Sequence, residues 1–176
     1  MNTPGGDASA TELEIVWTVE GATSILARFQ RVLSNVEKWQ RVVFSTDDLE
    51  NPLVSGLSAD PDRDGHSNFF EFAMGGDPWI QDQPGRPMLE SRRGDGDDVF
   101  EFSFEYPTER EDDVSLFIEH STDLIEWHRT GQPGAAVLTK PIKIEPLGEG
   151  LQRAYHRIYK GQVSVGYFRV TASPRR

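Results

Sequence analysis

Acidic residues between Asp60 and Glu71 follow the spacing of a calcium-binding loop. In the sequence DPDRDGHSNFFE, Asp60, Asp62 and Asp64 occupy positions 1, 3 and 5. Alternate residues of a tightly wound loop point inward, so these three carboxylates can reach one ion. Gly65 at position 6 permits the sharp turn, and Glu71 at position 12 can close the shell with both carboxylate oxygens. The pattern therefore predicts a Ca²⁺ site.

Two further positions of the loop complete the predicted site. His66 at position 7 would contribute its backbone carbonyl, and Asn68 a side-chain oxygen, directly or through a water. A solvated acidic turn is the alternative interpretation, but it explains only the acidity and not the order of the positions. The predicted metal ligands are therefore Asp60, Asp62, Asp64, His66, Asn68 and Glu71.

The sequence contains a single loop of this kind. Position 8, where a β-branched or aliphatic residue commonly pairs two such loops, is Ser67. The acidic clusters at 94–98 and 109–113 lack the glycine and the closing acid in register. An unpaired loop is poorly suited to cooperative sensing, so the predicted ion has a structural role.

The composition limits the partners of the chain. Its 176 residues include 18 Lys and Arg against 29 Asp and Glu, and the net charge of −11 argues against nucleic acid or an anionic membrane as a partner. No stretch reaches the length of a transmembrane helix. The absence of cysteine excludes disulfides and thiol chemistry.

The expected location is outside the cytoplasm of a bacterium. An acidic chain without cysteine and with a calcium site of millimolar type fits an extracellular, cell-surface or periplasmic setting. The N-terminal sequence MNTPGGDASA has neither the basic region nor the apolar segment of a signal peptide. We therefore expect either that export is directed from outside this chain or that the chain is a piece of a longer protein.

Secondary-structure patterns precede the loop. Residues 1–11, rich in Gly, Ser, Ala, Asp and Thr, are predicted to be a disordered leader. The alternation in LEIVWTV predicts a strand. From residue 22 to about 44, apolar residues recur at three- and four-residue steps, which predicts a helical face. Ser34 or Asn35 could interrupt this run and cap a second, shorter helix.

A short helix is predicted to leave the calcium loop. It should end at Gly75 and Gly76, which offer the left-handed conformation of a helix C-cap. Its phenylalanines should pack on the preceding helix. Because the ion would fix where this helix begins, calcium binding and packing are expected to be one cooperative event. Residues 79–87, with two prolines and a glycine, are predicted to be a linker.

The remainder of the chain predicts an antiparallel β-sandwich. In VFEFSFEY, aromatic residues alternate with polar ones, and further short strands recur at intervals of about ten residues. These later strands are predicted at 115–121, 124–130, 136–146, 151–161 and 164–173. Trp127 is the expected plug between the sheets. Pro141 and Pro146, with Lys140 and Lys143, are expected to protect exposed edges.

The expected fold class is therefore α+β, with two units. Residues 12–80 form a small helical unit that carries the single EF-hand-like calcium loop at 60–71. Residues 88–176 form the β-sandwich domain. The predicted linker joins the two units.

The run WQRVVFSTDDLENPLVSGLSADPDRDGHSNFFEFAMGGDP resembles a recurrent module of bacterial secreted and surface proteins. Its DPDxDGxxNxxE loop is similar to the loops of dockerin type I and thrombospondin type 3 repeats, and its ending fits E-[FY]-A-x-G-x-DP. The later patterns IEHSTDLIEW and YFRVTAS are similar to a β-sandwich tail that often follows in such proteins.

The resemblance covers roughly residues 36–173 and implies a C-terminal accessory region of a large exported protein, rather than a catalyst. It also implies that the acidic loop residues and Asn68 bind calcium through side chains, and His66 through its carbonyl. Dockerins carry two loops, so the single loop here argues against binding to a cohesin.

The patterns of common catalytic sites are absent from the sequence. The histidines, at positions 66, 120, 128 and 156, show no HExxH or other metal-ligand spacing. Ser121 lies beside His120, but adjacent strand residues point to opposite faces and no GxSxG elbow is present. Glu101 and Glu105 are interpreted as one solvated face of a strand. The chain is therefore predicted not to be an enzyme.

The predicted function is that of a calcium-binding structural or adhesion-type module of an exported or cell-surface bacterial protein. Its expected partners are the calcium ion and a glycan or a surface protein. The alternative is a carbohydrate-binding module attached to a polysaccharide-acting protein, with exposed aromatics such as Trp79, Tyr155 or Tyr159. A divergent hydrolase is the third hypothesis.

Overall fold

A computed structural model gives the fold of residues 11–19, 23–31, 33–93, 98–132, 137–159 and 166–175. The predicted leader lies outside these described residues, apart from Thr11, which begins the first strand. Residues 94–97 of the acidic cluster at 94–98 lie outside them as well.

The first two strands form an antiparallel hairpin, with β1 at Thr11–Val19 and β2 at Thr23–Arg31. The strand predicted in β1 is confirmed, whereas the helix predicted from residue 22 is wrong over β2. Ile25 and Phe29 fit both interpretations, because residues four apart share a face in a helix and in a strand. The pairing with β1 decides between them, since it satisfies the backbone groups with which each strand faces the other.

Four short helices lie between residues 33 and 93: α1 at Asn35–Val43, α2 at Thr46–Leu49, α3 at Pro52–Ser55 and α4 at Asn68–Met74. The predicted cap at Ser34 is confirmed, because its hydroxyl accepts a hydrogen bond from the backbone N–H of Glu37 at 3.3 Å. The predicted end of α4 is confirmed too. Gly75 adopts the left-handed conformation there, with a φ of 79°.

The later strands form two antiparallel sheets. The larger sheet has the order β3-β4-β8-β7, with β3 at Met88–Arg93, β4 at Asp98–Pro107, β7 at Leu138–Gly148 and β8 at Leu151–Tyr159. The smaller sheet has the order β6-β5-β9, with β5 at Val114–Ser121, β6 at His128–Arg129 and β9 at Tyr167–Pro174. The fold is therefore mixed α+β.

Two strands differ from the sequence-based prediction. β3 falls in a stretch for which no strand was predicted, and the strand predicted at 124–130 is reduced to β6. The reason for the short β6 is a turn built on side chains. Ser121 Oγ accepts from the N–H of Leu124 at 2.8 Å, and Asp123 Oδ1 accepts from the N–H of Ile125 at 2.8 Å. These local bonds satisfy backbone groups that a strand would otherwise pair.

One buried cluster joins α4 to both sheets. Phe72 and Met74 of α4 belong to it, as do Phe102 and Phe104 of β4. The smaller sheet contributes Val114, Ile118 and Val170. The strand predicted at β4 is confirmed and its aromatic residues Phe102, Phe104 and Tyr106 are buried, but Ser103 and Glu105 on the opposite face are buried as well. The helical part and the strands therefore share a hydrophobic core, and α4 is held from both sides.

Trp127 does not lie in this core, so its predicted role as a plug is wrong. It is half-buried, and the guanidinium carbon of Arg169 lies 4.1 Å from its ring centroid. The neighbours of Arg169 in β9, Phe168 and Val170, are the residues that contact the core. Since successive strand residues point to opposite faces, Arg169 and Trp127 lie on the outer face of this sheet.

β3 and β7 are the two edges of the larger sheet, and the prolines expected to protect an edge lie in β7. The pairing of β7 with β8 shifts register beside Pro141 and again beside Pro146. In the part of the chain that the structure describes, no helix has both the length and the apolar character needed to cross a lipid bilayer.

Candidate metal centre

The loop at 60–71 is wound tightly by its own acidic side chains. The carboxylate of Asp60 accepts hydrogen bonds from the N–H groups of Arg63 at 2.8 Å and Gly65 at 3.0 Å. Gly65 has a φ of 96°, which favours glycine, and Arg63 has a φ of 63°. This winding brings together carboxylate oxygens of Asp60, Asp62 and Asp64, all within 4.8 Å of one another.

Ser67 connects the loop to α4. Its hydroxyl accepts a hydrogen bond from the N–H of Phe70 at 3.3 Å and so caps the helix. The next two N–H groups are also paired, that of Asn68 with the carbonyl of Ala59 at 2.8 Å and that of Phe69 with the carbonyl of Leu57 at 2.9 Å. Ser67, which departs from the common loop pattern, therefore has a structural role at the start of α4.

Glu71 is the residue of the site whose burial is least favourable. Its side chain is 0% exposed, and neither carboxylate oxygen has a hydrogen-bond partner among the described residues. Burial raises the pKa of Glu71 to about 8, and the negative charges of Asp62, Asp64 and Asp82 add to this effect. A buried carboxylate without donors is unfavourable unless it is neutralised or meets a cation.

Asp82 is a part of the site that the sequence pattern did not predict. Carboxylate oxygens of Asp64, Glu71 and Asp82 lie within 4.8 Å of one another, so a second group of three acids shares Asp64 with the first. The N–H of Asp82 donates to Asp64 Oδ2 at 3.3 Å. Asp82 lies in the predicted linker, well outside the loop motif, and no local spacing signals its approach.

Two predicted ligand oxygens, one in Asn68 and one in Asp62, have no hydrogen-bond partner among the described residues. Asn68 is 0% exposed, and its side-chain N–H₂ donates to the carbonyls of Val54 at 2.7 Å and Gly56 at 2.8 Å. Its Oδ1 has no hydrogen-bond partner among the described residues, as is also true of Asp62 Oδ2. Both oxygens are therefore available as metal ligands.

His66 contacts the site through its ring, whereas the sequence assigned a role only to its carbonyl. Its Nδ1 lies 3.1 Å from Asp64 Oδ2, and its ring stacks on Phe70 with centroids 5.0 Å apart. Burial acts to raise the pKa of Asp64, but hydrogen bonds from His66 outweigh it and lower the pKa below its ordinary value. Asp64 therefore stays ionised, while burial and neighbouring carboxylates raise the pKa of Asp62 and of Asp82.

Aromatic contacts hold α4 behind the loop. Phe72 packs against Trp39 of α1 with ring centroids 5.5 Å apart, which confirms the predicted packing of the two helices. The guanidinium carbon of Arg110 lies 4.1 Å from the ring centroid of Phe72. Trp79 contacts Phe44 at 5.6 Å between centroids. This packing fixes the helix on which Glu71 lies.

Tyr155 and Tyr159, two of the aromatic residues considered for glycan binding, each have a lysine over the ring. Lys143 lies 4.3 Å from the ring centroid of Tyr155, and Lys140 lies 5.4 Å from that of Tyr159. Glu105 is buried and pairs with Arg153, so its interpretation as a solvated residue is wrong.

Comparison with known proteins gives no match to a family model, to a curated protein or to a solved structure. The likeness of the loop to dockerin and thrombospondin type 3 repeats therefore stays a prediction that rests on the loop residues.

Proposed function

We propose that this chain binds Ca²⁺ at residues 60–71 and uses the ion as a structural element. The observation that carries the proposal is the environment of Glu71. Its buried carboxylate has no donor among the described residues, and it faces the carboxylates of Asp64 and Asp82. A bound cation would satisfy both oxygens and offset the repulsion among these acids.

The donor chemistry favours Ca²⁺ over other metals. The candidate ligands are carboxylate, amide and carbonyl oxygens, which suit a hard cation, whereas Zn²⁺ is typically bound through Cys or His. Mg²⁺ requires near-octahedral geometry and commonly keeps several waters. A loop that offers several carboxylates from one winding turn, with a glutamate able to bind through both oxygens, fits the larger and more tolerant shell of Ca²⁺.

The role that we propose for the ion is to order the start of α4. Glu71 follows directly on Phe70 and precedes Phe72, which is 0% exposed and belongs to the shared core. An ion bound to Glu71 therefore stabilises the position of α4 in that core.

We also propose that the two larger sheets pack as a β-sandwich, and that the whole is a non-catalytic module of an exported or cell-surface bacterial protein. Support for the sandwich comes from Phe102 of β4 and Phe168 of β9, whose ring centroids are 6.2 Å apart across the core. Support for an extracellular setting comes from the acidic, cysteine-free composition and from the single calcium loop.

Isothermal titration calorimetry with CaCl₂ and with MgCl₂ tests the proposed function. We expect one Ca²⁺ site with a Kd on the order of 10⁻⁴ to 10⁻³ M, and weaker binding of Mg²⁺. With such a Kd, 1 mM Ca²⁺ adds about 0.4 to 1.4 kcal/mol to the free energy of unfolding. The melting midpoint should then rise by a few degrees relative to EDTA. A chain that takes up no Ca²⁺ would contradict the proposal.

A further inference from the structure

The segment after α4 returns to the calcium loop and contacts it directly. A turn at residues 77–80, in which the N–H of Ile80 bonds the carbonyl of Asp77 at 3.0 Å, reverses the chain. Gln81 then donates from its side chain to the carbonyl of Asp62 at 2.5 Å. The next N–H, that of Asp82, donates to the carboxylate of Asp64 at 3.3 Å. The predicted linker is therefore bound along the loop.

These backbone and side-chain bonds place the carboxylate of Asp82 at the mouth of the site. One of its oxygens lies within 4.8 Å of oxygens of Asp64 and Glu71. Glu71 is buried with both oxygens unpaired among the described residues, and so provides an independent sign that a cation belongs at this point. Without a cation, ionisation of all three carboxyl groups at this separation is unfavourable, because their charges would repel one another.

We propose that Asp82 is a ligand of the same Ca²⁺ ion, supplied from outside the twelve-residue loop, and that the ion thereby fastens the segment at 81–85 to the loop. This inference rests on the proposed function, because it requires that the loop binds Ca²⁺. It adds a ligand that the loop motif does not contain, and it gives the ion a second task besides ordering α4.

The other end of the segment is fixed to α4 and to the larger sheet. The carbonyl of Gly85 accepts a hydrogen bond from the N–H of Glu105 in β4 at 2.6 Å. Gly85 has a φ of 78°, and a Cβ there would lie 2.2 Å from Cε of Met74. A Cβ at Gly76 would lie 3.0 Å from Pro84. The segment thus packs closely on α4. Gly85 in the segment and Gly76 after α4 allow this close approach.

A single ion bound to Asp82 therefore connects three parts of the fold: the loop, α4 and, through Gly85, strand β4. Residue 82 itself is exposed, so it can move away from the site when the ion leaves. Repulsion by the carboxylate of Asp64 favours this movement. Loss of calcium should loosen residues 81–83 first, while Pro84 and Gly85 stay buried against α4 and β4.

Calcium titrations of Asp82→Asn and Asp77→Asn provide a test with a matched control. Both substitutions remove one negative charge near Glu71, because Asp77 and Asp82 both act on its carboxylate. Asp77 is outside the two groups of metal-ligand candidates, and its Oδ1 accepts from the N–H of Trp79 at 3.0 Å, a bond that Asn can keep. We expect Asp82→Asn to weaken Ca²⁺ binding by about tenfold or more, and Asp77→Asn by clearly less.

Terbium luminescence gives a second readout, which counts the waters on the bound ion. Lifetimes of Tb³⁺ bound to the chain are measured in H₂O and in D₂O. We expect Asp82→Ala to bind Tb³⁺ with about one additional water, because the variant has no side-chain oxygen and solvent replaces the lost ligand. Asp77→Ala should leave the number of waters unchanged. A purely electrostatic effect of Asp82 would change affinity without changing this number.

The outcomes separate this inference from the proposed function. Wild-type chain that binds Ca²⁺, with Asp82→Asn equal to Asp77→Asn in affinity and Asp82→Ala equal to Asp77→Ala in bound waters, overturns the role of Asp82 and leaves the calcium site standing. Wild-type chain that binds no Ca²⁺ overturns both. Weaker binding in Asp82→Asn than in Asp77→Asn, together with an extra water in Asp82→Ala alone, supports the inference.

Discussion

Trp39 of α1 and Phe72 of α4 meet edge to face, with ring centroids 5.5 Å apart and planes at 63°. This contact holds α4 against α1. Since Glu71 precedes Phe72 in the chain, the same packing determines where its carboxylate lies. Hydrophobic packing and metal binding are thus properties of one short helix.

Truncation of Phe72 should therefore affect both stability and calcium binding. Phe72 is 0% exposed, so Phe72→Ala should lower the free energy of unfolding by about 3 to 5 kcal/mol. It should also weaken Ca²⁺ binding, because α4 loses its contact with Trp39. Urea denaturation and calorimetry measure the two effects. Leu53→Ala is the control, since Leu53 is 86% exposed and its loss should change stability by less than about 0.5 kcal/mol. Unchanged calcium affinity in Phe72→Ala would show that the loop folds independently of the core.

Replacement of Glu71 should abolish the response to calcium and raise the stability of the calcium-free protein. Glu71→Gln keeps the shape of the side chain but removes a buried charge that lacks a donor. We expect a higher melting midpoint than wild type in EDTA, and loss of the rise that Ca²⁺ produces in wild type. Asp47→Asn, at an exposed acid of α2, should behave like wild type. A full calcium response in Glu71→Gln would exclude Glu71 as a ligand.

The decline of stability with rising pH should become shallower when calcium is added. Burial raises the pKa of Glu71 from an ordinary value of 4.5 to about 8, so the folded protein without calcium holds this proton more tightly than the unfolded chain. The resulting stabilisation is complete below pH 4.5 and is lost as the pH rises towards 8. Calcium binds the ionised form, so the stabilisation that it provides should grow over the same range.

Urea denaturation at several pH values between 5 and 8, in EDTA and in millimolar Ca²⁺, measures this difference in slope. Glu71→Gln should remove the decline in EDTA, because the titrating group is gone. A decline of equal size in Glu71→Gln would assign the effect to other carboxyl groups of the site.

The features that the sequence predicted are those whose cause is local. The loop spacing brings Asp60, Asp62 and Asp64 together because a wound loop turns alternate residues inward. The end of α4 was predictable because Gly75 is the residue that adopts a positive φ there with least strain. The strand β4 was predictable because its alternating aromatic residues pack in the core, although the burial of Glu105 on its other face was not.

The features that the sequence missed depend on contacts between distant residues. Asp82 reaches the site because a turn at 77–80 reverses the chain, and nothing in its own neighbourhood reports the approach. β2 is a strand because β1 pairs with it, although its apolar spacing also fits a helix. Trp127 lies on an outer face because Phe168 and Val170 already fill the core beside Arg169. Tertiary pairing decides such cases over local pattern.

Ser67 leads to a further prediction, because the structure assigns it the role of helix cap, which the loop pattern did not predict. Its hydroxyl accepts from the N–H of Phe70 at 3.3 Å and caps α4. Ser67→Ala should lower the free energy of unfolding by about 1 kcal/mol, while Ser67→Thr, which keeps an acceptor, should lose less. Because the cap lies between the first three acids of the loop and Glu71, Ser67→Ala should also weaken Ca²⁺ binding modestly. Thermal melts of both variants in EDTA and in Ca²⁺ measure the two effects. Equal stability of Ser67→Ala and wild type in EDTA would show that the cap contributes nothing and that α4 is held by its packing on Trp39 and by the core.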